Sequence, residues 1–212
     1  MDYFGYAKKH RNYNPNIYGR WQREYARMLD RVLGLRGKTV LDIGCAAGAH
    51  VKAFNDVCGA DAFGCDVNQG VIERTPFRKK QHRLRVAETD RLGLYYGPAM
   101  FDRVISQQVF EHFPDREYSI RVIHEIHTIL RPGGLAYIAL VAGEHRTRED
   151  VESDPTEDST HTNIWPMDWW HEQFDVAGFK NVDAIYQPLF EKEPMYRRYR
   201  WQQMIWAKRS RT

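Results

Sequence analysis

The residues best suited to chemistry begin at Asp42, just ahead of the run Gly44-Cys45-Ala46-Ala47-Gly48. An apolar stretch, Thr39 to Ile43, leads into that run, and small residues take over where a strand must turn into a helix. Such a turn lets backbone N–H groups face a ligand with no β-carbon in the way. The spacing narrows the ligand. A dinucleotide fingerprint, G-x-G-x-x-G, needs glycine where Gly44, Ala46 and Ala49 stand, so two of its three places fail. A phosphate loop needs Lys-Ser or Lys-Thr after Gly48, and neither follows. Asp42 would repel phosphates and suits a cationic ligand instead. A second apolar run, Ala62 to Cys65, ends at Asp66, eighteen positions after Gly48. An acid there is placed to accept hydrogen bonds from a ribose diol.

Two histidine sites offer further chemistry. His161 follows a long acidic stretch, and an imidazole near its unperturbed pKa is a usable proton acceptor at neutral pH. A histidine that merely caps the loop or the next helix is the competing reading. His124-Glu125-Ile126-His127 resembles a metal motif, but H-E-x-H is one residue short of the H-E-x-x-H spacing that sets both imidazoles on one helical face. A solvent-facing helix before Pro132 accounts for it. With no C-x-x-C pattern either, no metal site is expected, and Cys45, Cys58 and Cys65 read as free thiols in a reducing cytoplasm.

The elements that must position these groups alternate short apolar runs with helical stretches over residues 37–142, the pattern of a parallel α/β sheet. Further strands are expected at Arg83–Ala87, Phe101–Ser106 and Leu135–Val141. Ahead of them, Trp21, Tyr25, Met28, Leu29 and Val32 mark one face of a helix from about Ile17 to Leu33. After the fifth strand the pattern breaks, and Gly143 to Asn163 is a long acidic loop of the kind that is usually a functional lid or disordered. A helix bearing Trp169, Trp170 and Phe174 follows and ends at Ala177-Gly178, and strands are expected at Val182–Tyr186 and Gln202–Ala207.

Taken in order, four segments resemble the class I S-adenosylmethionine-dependent methyltransferases. The V-L-D-I-G-C-x-x-G run from Val40 matches the glycine-rich first motif, and Asp66 matches the ribose acid. Phe101 to His112 is similar to the fourth-strand segment, and Ile129-Leu130-Arg131-Pro132-Gly133-Gly134-Leu135 to the turn before the fifth strand. The likeness covers roughly Val40 to Ala142 and departs at Ala46, where the family usually has glycine; one methyl group beside a nucleoside is expected to be tolerated.

The resemblance implies a Rossmann-like, seven-stranded, mostly parallel sheet with the last strand antiparallel, helices on both faces and an N-terminal helical cap. One domain spans 1–212, with 1–36 as cap or lid, 37–142 as the cofactor half and 143–212 as the acceptor side. The cofactor would be S-adenosylmethionine, held by Asp42, Gly44, Cys45, Ala46, Gly48, Asp66, Val67, Glu88, Thr89, Gln107 and His112. In that family Glu88 takes the place of the acid facing the adenine amino group, with Asp90 the neighbouring alternative, and Thr89 offers a backbone N–H to the ring. Gln107 or Gln108 would lie beside the methionine part. Tyr13, Tyr18 and Trp165 become acceptor-pocket residues, Gln187 to Arg200 its rim, and His161 the residue nearest the reacting acceptor.

Composition bounds the partners. A chain of 212 residues with ten Phe, twelve Tyr and six Trp suits one sizeable core, and no stretch approaches a membrane span. The front segment lacks a signal peptide's apolar core, so the expected location is cytoplasmic. The net charge of +3 is modest, but residues 190–212 carry seven Lys and Arg against two Glu. A solvated rim is favoured over polyanion binding, since no aromatic RNA-binding signature accompanies the charges. The expected reaction is O-methylation of a polar small molecule or glycan hydroxyl. An RNA or protein methyltransferase, and a non-catalytic cofactor-binding domain, stay open beside it.

Overall fold

The computed structural model describes residues 19–77, 83–143, 160–199 and 202–210. Seven strands form one sheet: β1 (Thr39–Ile43), β2 (Asp61–Asp66), β3 (Leu84–Val86), β4 (Phe101–Gln107), β5 (Leu130–Ala139), β6 (Phe179–Asn181) and β7 (Gln203–Lys208). Their spatial order is β3-β2-β1-β4-β5-β7-β6. The first five strands pair in parallel, and β7 runs antiparallel to both β5 and β6. This is the Rossmann-like arrangement that the motif order implied.

Alternating side chains feed two separate cores, as strand geometry requires. Val40, Ile105, Tyr137 and Ile205 point to one face; Leu41, Val104, Ile138 and Trp206 point to the other. The first face is covered by α1 (Arg20–Leu33) and α2 (Ala49–Ala53), which continues as a π-helical turn to Cys58. Tyr25, Met28, Leu29 and Val32 of α1 are buried there, so the periodic stripe read from sequence is core. The second face is covered by α4 (Arg116–Ile129) and α5 (Met167–Val176), through Ile123, Ile126, Trp170 and Phe174. A short helix, α3 (Gln69–Glu73), follows β2.

Two boundaries differ from the sequence expectation. The segment Val182–Tyr186 is not a strand: β6 stops at Asn181, and α6 (Asp183–Phe190) begins at once. The Asn181 side chain accepts from Asp183 N–H at 2.8 Å, turning the chain, and Val182 and Phe190 then bury against the α1 core. Val182, Tyr186 and Phe190 face one core at the four-residue spacing of a helix. β5 starts at Leu130 rather than Leu135, because Leu130 already pairs with Phe101 before an irregularity at Arg131–Gly134. At Gly134 a β-carbon would lie 2.9 Å from the Arg131 carbonyl oxygen, so the offset needs glycine. The remaining helix, α7 (Pro194–Tyr199), folds Tyr196 beneath α1, and the Arg31 guanidinium donates to Glu193 at 2.8 Å. Cys45, Cys58 and Cys65 are free and buried. Tyr13, Tyr18 and most of the acidic loop lie outside the described residues. No helix among the described residues is long and apolar enough to cross a membrane.

Candidate active site

The chain runs outward from β1 to β2 and β3, then returns to β4 on the other side of β1. Open α/β sheets bind ligands at such a switch point, beyond the carboxyl ends of the strands. Here those ends carry the turn after Ile43 and the segment after Gln107.

The turn is a left-handed staircase. Gly44, Ala46 and Gly48 have φ of 72°, 51° and 84°. A β-carbon on Gly44 would lie 2.3 Å from Val109 Cγ2, and one on Gly48 2.7 Å from Leu84 Cδ1. Gly44 and Cys45 N–H both donate to the Cys65 carbonyl, stitching the turn to β2. Asp66 completes the stitch: Oδ2 accepts from Ala46 N–H at 2.9 Å and Oδ1 from Asn68 N–H at 2.8 Å. Burial raises the Asp66 carboxyl above the usual range, although these donors, with Val67 N–H, pull it back. Ala46 is accommodated in a conformation that costs an ordinary residue about 1–2 kcal/mol, and the carboxylate on its N–H holds it there.

Asp42 is enclosed, with 2% of its surface exposed, and its Oδ2 has no hydrogen-bond partner among the described residues. Burial, with Asp66 nearby, pushes its carboxyl well above the ordinary range. The nearest basic group, His50 Nδ1, is 3.9 Å away. Burial lowers that imidazole to about 4, so it stays neutral and does not satisfy the acid. At the end of the neighbouring strand, Gln107 Oε1 is a second buried acceptor with no partner among the described residues. Two orphaned acceptors on adjacent strands, beside a turn that exposes backbone, fit a nucleoside bearing a cationic amino-acid tail.

Other expected cofactor residues are more scattered. Glu88 is exposed, its carboxylate 3.5 Å from the Arg91 guanidinium. Thr89 is buried, with Oγ1 3.0 Å from the Tyr118 hydroxyl. Val67 is half-buried at the end of β2, and Gln108 is exposed with φ of 53°.

The segment after the acidic loop docks onto the short 3-10 turn Phe110–His112 that follows β4. Asn163 makes the joint: its N–H donates to the Glu111 carbonyl at 3.0 Å, and its side-chain amide to the Phe110 carbonyl and Ser119 Oγ, both at 2.8 Å. The Asn163 side-chain oxygen accepts from Trp165 Nε1 at 2.9 Å. Trp165 also stacks on Trp169, with the Arg116 guanidinium over both rings. The result brings His161 to His112, ring centroids 4.9 Å apart, with Glu111 buried beside them. Sequence reasoning paired neither these histidines nor Asn163 with them. The only hint was the proximity of Thr160-His161 to Asn163 along the chain. His124 is exposed, and His127 packs edge-on against Phe179.

The profile of a methyltransferase-domain family, Methyltransf_23, matches residues 13–184. The chain belongs to the class I S-adenosylmethionine-dependent methyltransferases. A mouse protein described as "Probable tRNA methyltransferase 9B" is 32% identical over 118 residues, 56% of this chain and 25% of that protein. The ubiquinone biosynthesis O-methyltransferase of Pseudomonas paraeruginosa is 28% identical over 116 residues, 53% of this chain and 48% of that one. These matches thus span a quarter to a half of each relative. Among solved structures, the methyltransferase in a complex with the Haloferax volcanii Trm112 methyltransferase activator superposes with a TM-score of 0.67 at 20% identity, covering 99% of this chain and 96% of that one. The cofactor of this methyltransferase is S-adenosylmethionine, and the orphaned acceptors Asp42 and Gln107 fit its cationic end.

Proposed function

We propose that this methyltransferase acts on a hydroxyl of a polar small molecule or glycan, with His161 as the proton acceptor. When bound, S-adenosylmethionine supplies a methyl group already activated by its sulfonium charge. The chain's own residues do the rest. Asp42 and Gln107 would hold the cationic end, and Asp66 the ribose, giving up part of its backbone bonding to do so. The clamp at Asn163 fixes the direction from which an acceptor approaches. Orientation of this kind is worth roughly 7–11 kcal/mol of barrier, and a positioned base adds about 10²–10⁴-fold.

The observation that carries the reading is the convergence of His161 and His112 beyond β4, at the same end of the sheet as the orphaned acceptors. Its test is His161→Ala, assayed with labelled cofactor against fractionated cell extract. Turnover on a small-molecule fraction should fall by about 10²–10⁴-fold while cofactor affinity stays within twofold. Unchanged turnover would remove His161 from the chemistry.

A second reading has its own support: the mouse relative is named for tRNA, and the last stretch of the chain is basic. In that case the label appears in RNA, and affinity for RNA falls steeply between low and moderate salt.

A further inference from the structure

We propose that Glu111, His112 and His161 form a binding site for one divalent transition-metal ion, of the zinc or iron(II) kind, at the acceptor end of the active site. The proposal rests on the reading above for where the acceptor enters, and it changes the part His161 plays from proton acceptor to ligand.

One ligand atom from each of the three side chains lies within 4.8 Å of the other two. Two imidazoles and one carboxylate are the donor set of many catalytic zinc sites and of the iron(II) facial triad. Magnesium and calcium prefer all-oxygen shells and are poorly served by it. Around an ion with bonds of about 2.0–2.2 Å, neighbouring ligand atoms sit roughly 3–3.5 Å apart. The three groups must therefore draw in by about an ångström, which rotation about side-chain bonds supplies.

The surroundings favour metal-ready ligands. His112 Nδ1 faces Thr160 twice, its carbonyl oxygen at 3.1 Å and its hydroxyl at 3.0 Å. A carbonyl oxygen only accepts, so Nδ1 carries the proton and the lone pair is left on Nε2. That is the outer hydrogen bond by which metal-binding histidines are oriented. Glu111 is fully buried, so its carboxylate is held out of bulk water beside the two imidazoles. The two segments of the site are pinned together by Asn163, which bonds to the backbone of Phe110 and Glu111. His161 is thereby joined to Glu111 and His112, some fifty positions earlier in the chain.

With three protein ligands, a position stays open for the acceptor's oxygen. Coordination lowers the pKa of a bound hydroxyl, so its proton leaves to solvent. The methyl carbon bonds to that oxygen as the carbon–sulfur bond breaks, its electron pair going to sulfur. One proton is released and the sulfonium charge is lost, so the step balances with no further reactant. The substrate class is then a hydroxyl acceptor that can ligate a metal.

The test uses the full chain, stripped with a chelator, and titrated with Zn²⁺ by calorimetry and with Co²⁺ by visible absorption. One ion should bind per chain, and excess Mg²⁺ should not displace it. Glu111→Gln, His112→Ala and His161→Ala should each weaken binding at least tenfold, and Thr160→Val about tenfold. His124→Ala, on the exposed face of α4, should leave it unchanged. Retained binding of S-adenosylhomocysteine certifies that each variant is folded. No saturable binding, or equal affinity in the parent and the three ligand variants, overturns the site. Turnover that survives chelation but not His161→Ala overturns the metal role and leaves His161 as base. If S-adenosylhomocysteine fails to bind the parent chain, the methyl-transfer reading itself fails, whatever the metal result.

Discussion

The two halves of the active site are built in opposite ways. On the cofactor side, the turn after β1 is local: Gly44, Ala46 and Gly48 lie within one loop, and Asp66 ends the adjacent strand. Its hydrogen bonds run to the backbone of neighbouring strands. Beyond β4, His112 and His161 come from segments forty-nine positions apart and meet through long-range contacts, of Asn163 with Phe110 and Glu111 and of Thr160 with His112. The first is a geometry that a parallel sheet makes almost by itself, and the second depends on a few polar contacts of one short segment.

That contrast can be broken experimentally. The largest effect is expected from Gly44→Ala, which combines a clash with Val109 and a left-handed backbone. Destabilisation of about 2–5 kcal/mol should appear in denaturant unfolding, with cofactor binding lost. Asp42→Asn is expected to weaken S-adenosylmethionine by roughly 10–100-fold, the worth of a hydrogen bond to a charged group, with a change in stability of the opposite sign or none. The raised Asp42 carboxyl gives this a pH signature. Burial makes this carboxyl hold its proton to higher pH than an ordinary one, and a cationic ligand favours the ionised form. Affinity should therefore fall as pH drops through that raised pKa. Binding heats should scale with buffer ionisation enthalpy, reporting proton release, and Asp42→Asn should abolish that dependence.

Asn163→Ala probes the other half. Losing the amide leaves the buried Ser119 hydroxyl and the Phe110 carbonyl without it, a cost of about 1–3 kcal/mol. Because the clamp serves the acceptor side, kcat should fall while the Kd for S-adenosylhomocysteine holds. Equal losses in both would show that the halves are not separable. The smallest effect belongs to Ala46→Gly, which relieves a φ of 51° and should stabilise the chain by about 1 kcal/mol, seen as a raised Tm.

The same contrast explains what the sequence could reveal. The first five strands, the turn and Asp66 follow from local apolar runs and small-residue spacing, which pattern reading captures, whereas the sheet architecture is implied by the family resemblance. The α6 boundary did not, since Val182, Tyr186 and Phe190 fit a strand in a short window and a helix only in a longer one. His124 and His127 drew attention because they are close in sequence, yet they lie on the surface and against Phe179. The histidines that do meet share no periodicity. Their meeting is a tertiary event, recorded by the contacts of Thr160 and Asn163 with the Phe110–His112 turn.

One more bond shapes how such a chain can diversify. Gly143 N–H donates to the Trp165 carbonyl at 3.2 Å, so the chain leaves β5 and returns to it through posts already tied together. Closing a span between fixed posts is cheap in chain entropy, about 0.6 kcal/mol for each doubling of its length. The number of residues between Gly143 and Trp165 can thus vary at little cost to the sheet that anchors both ends.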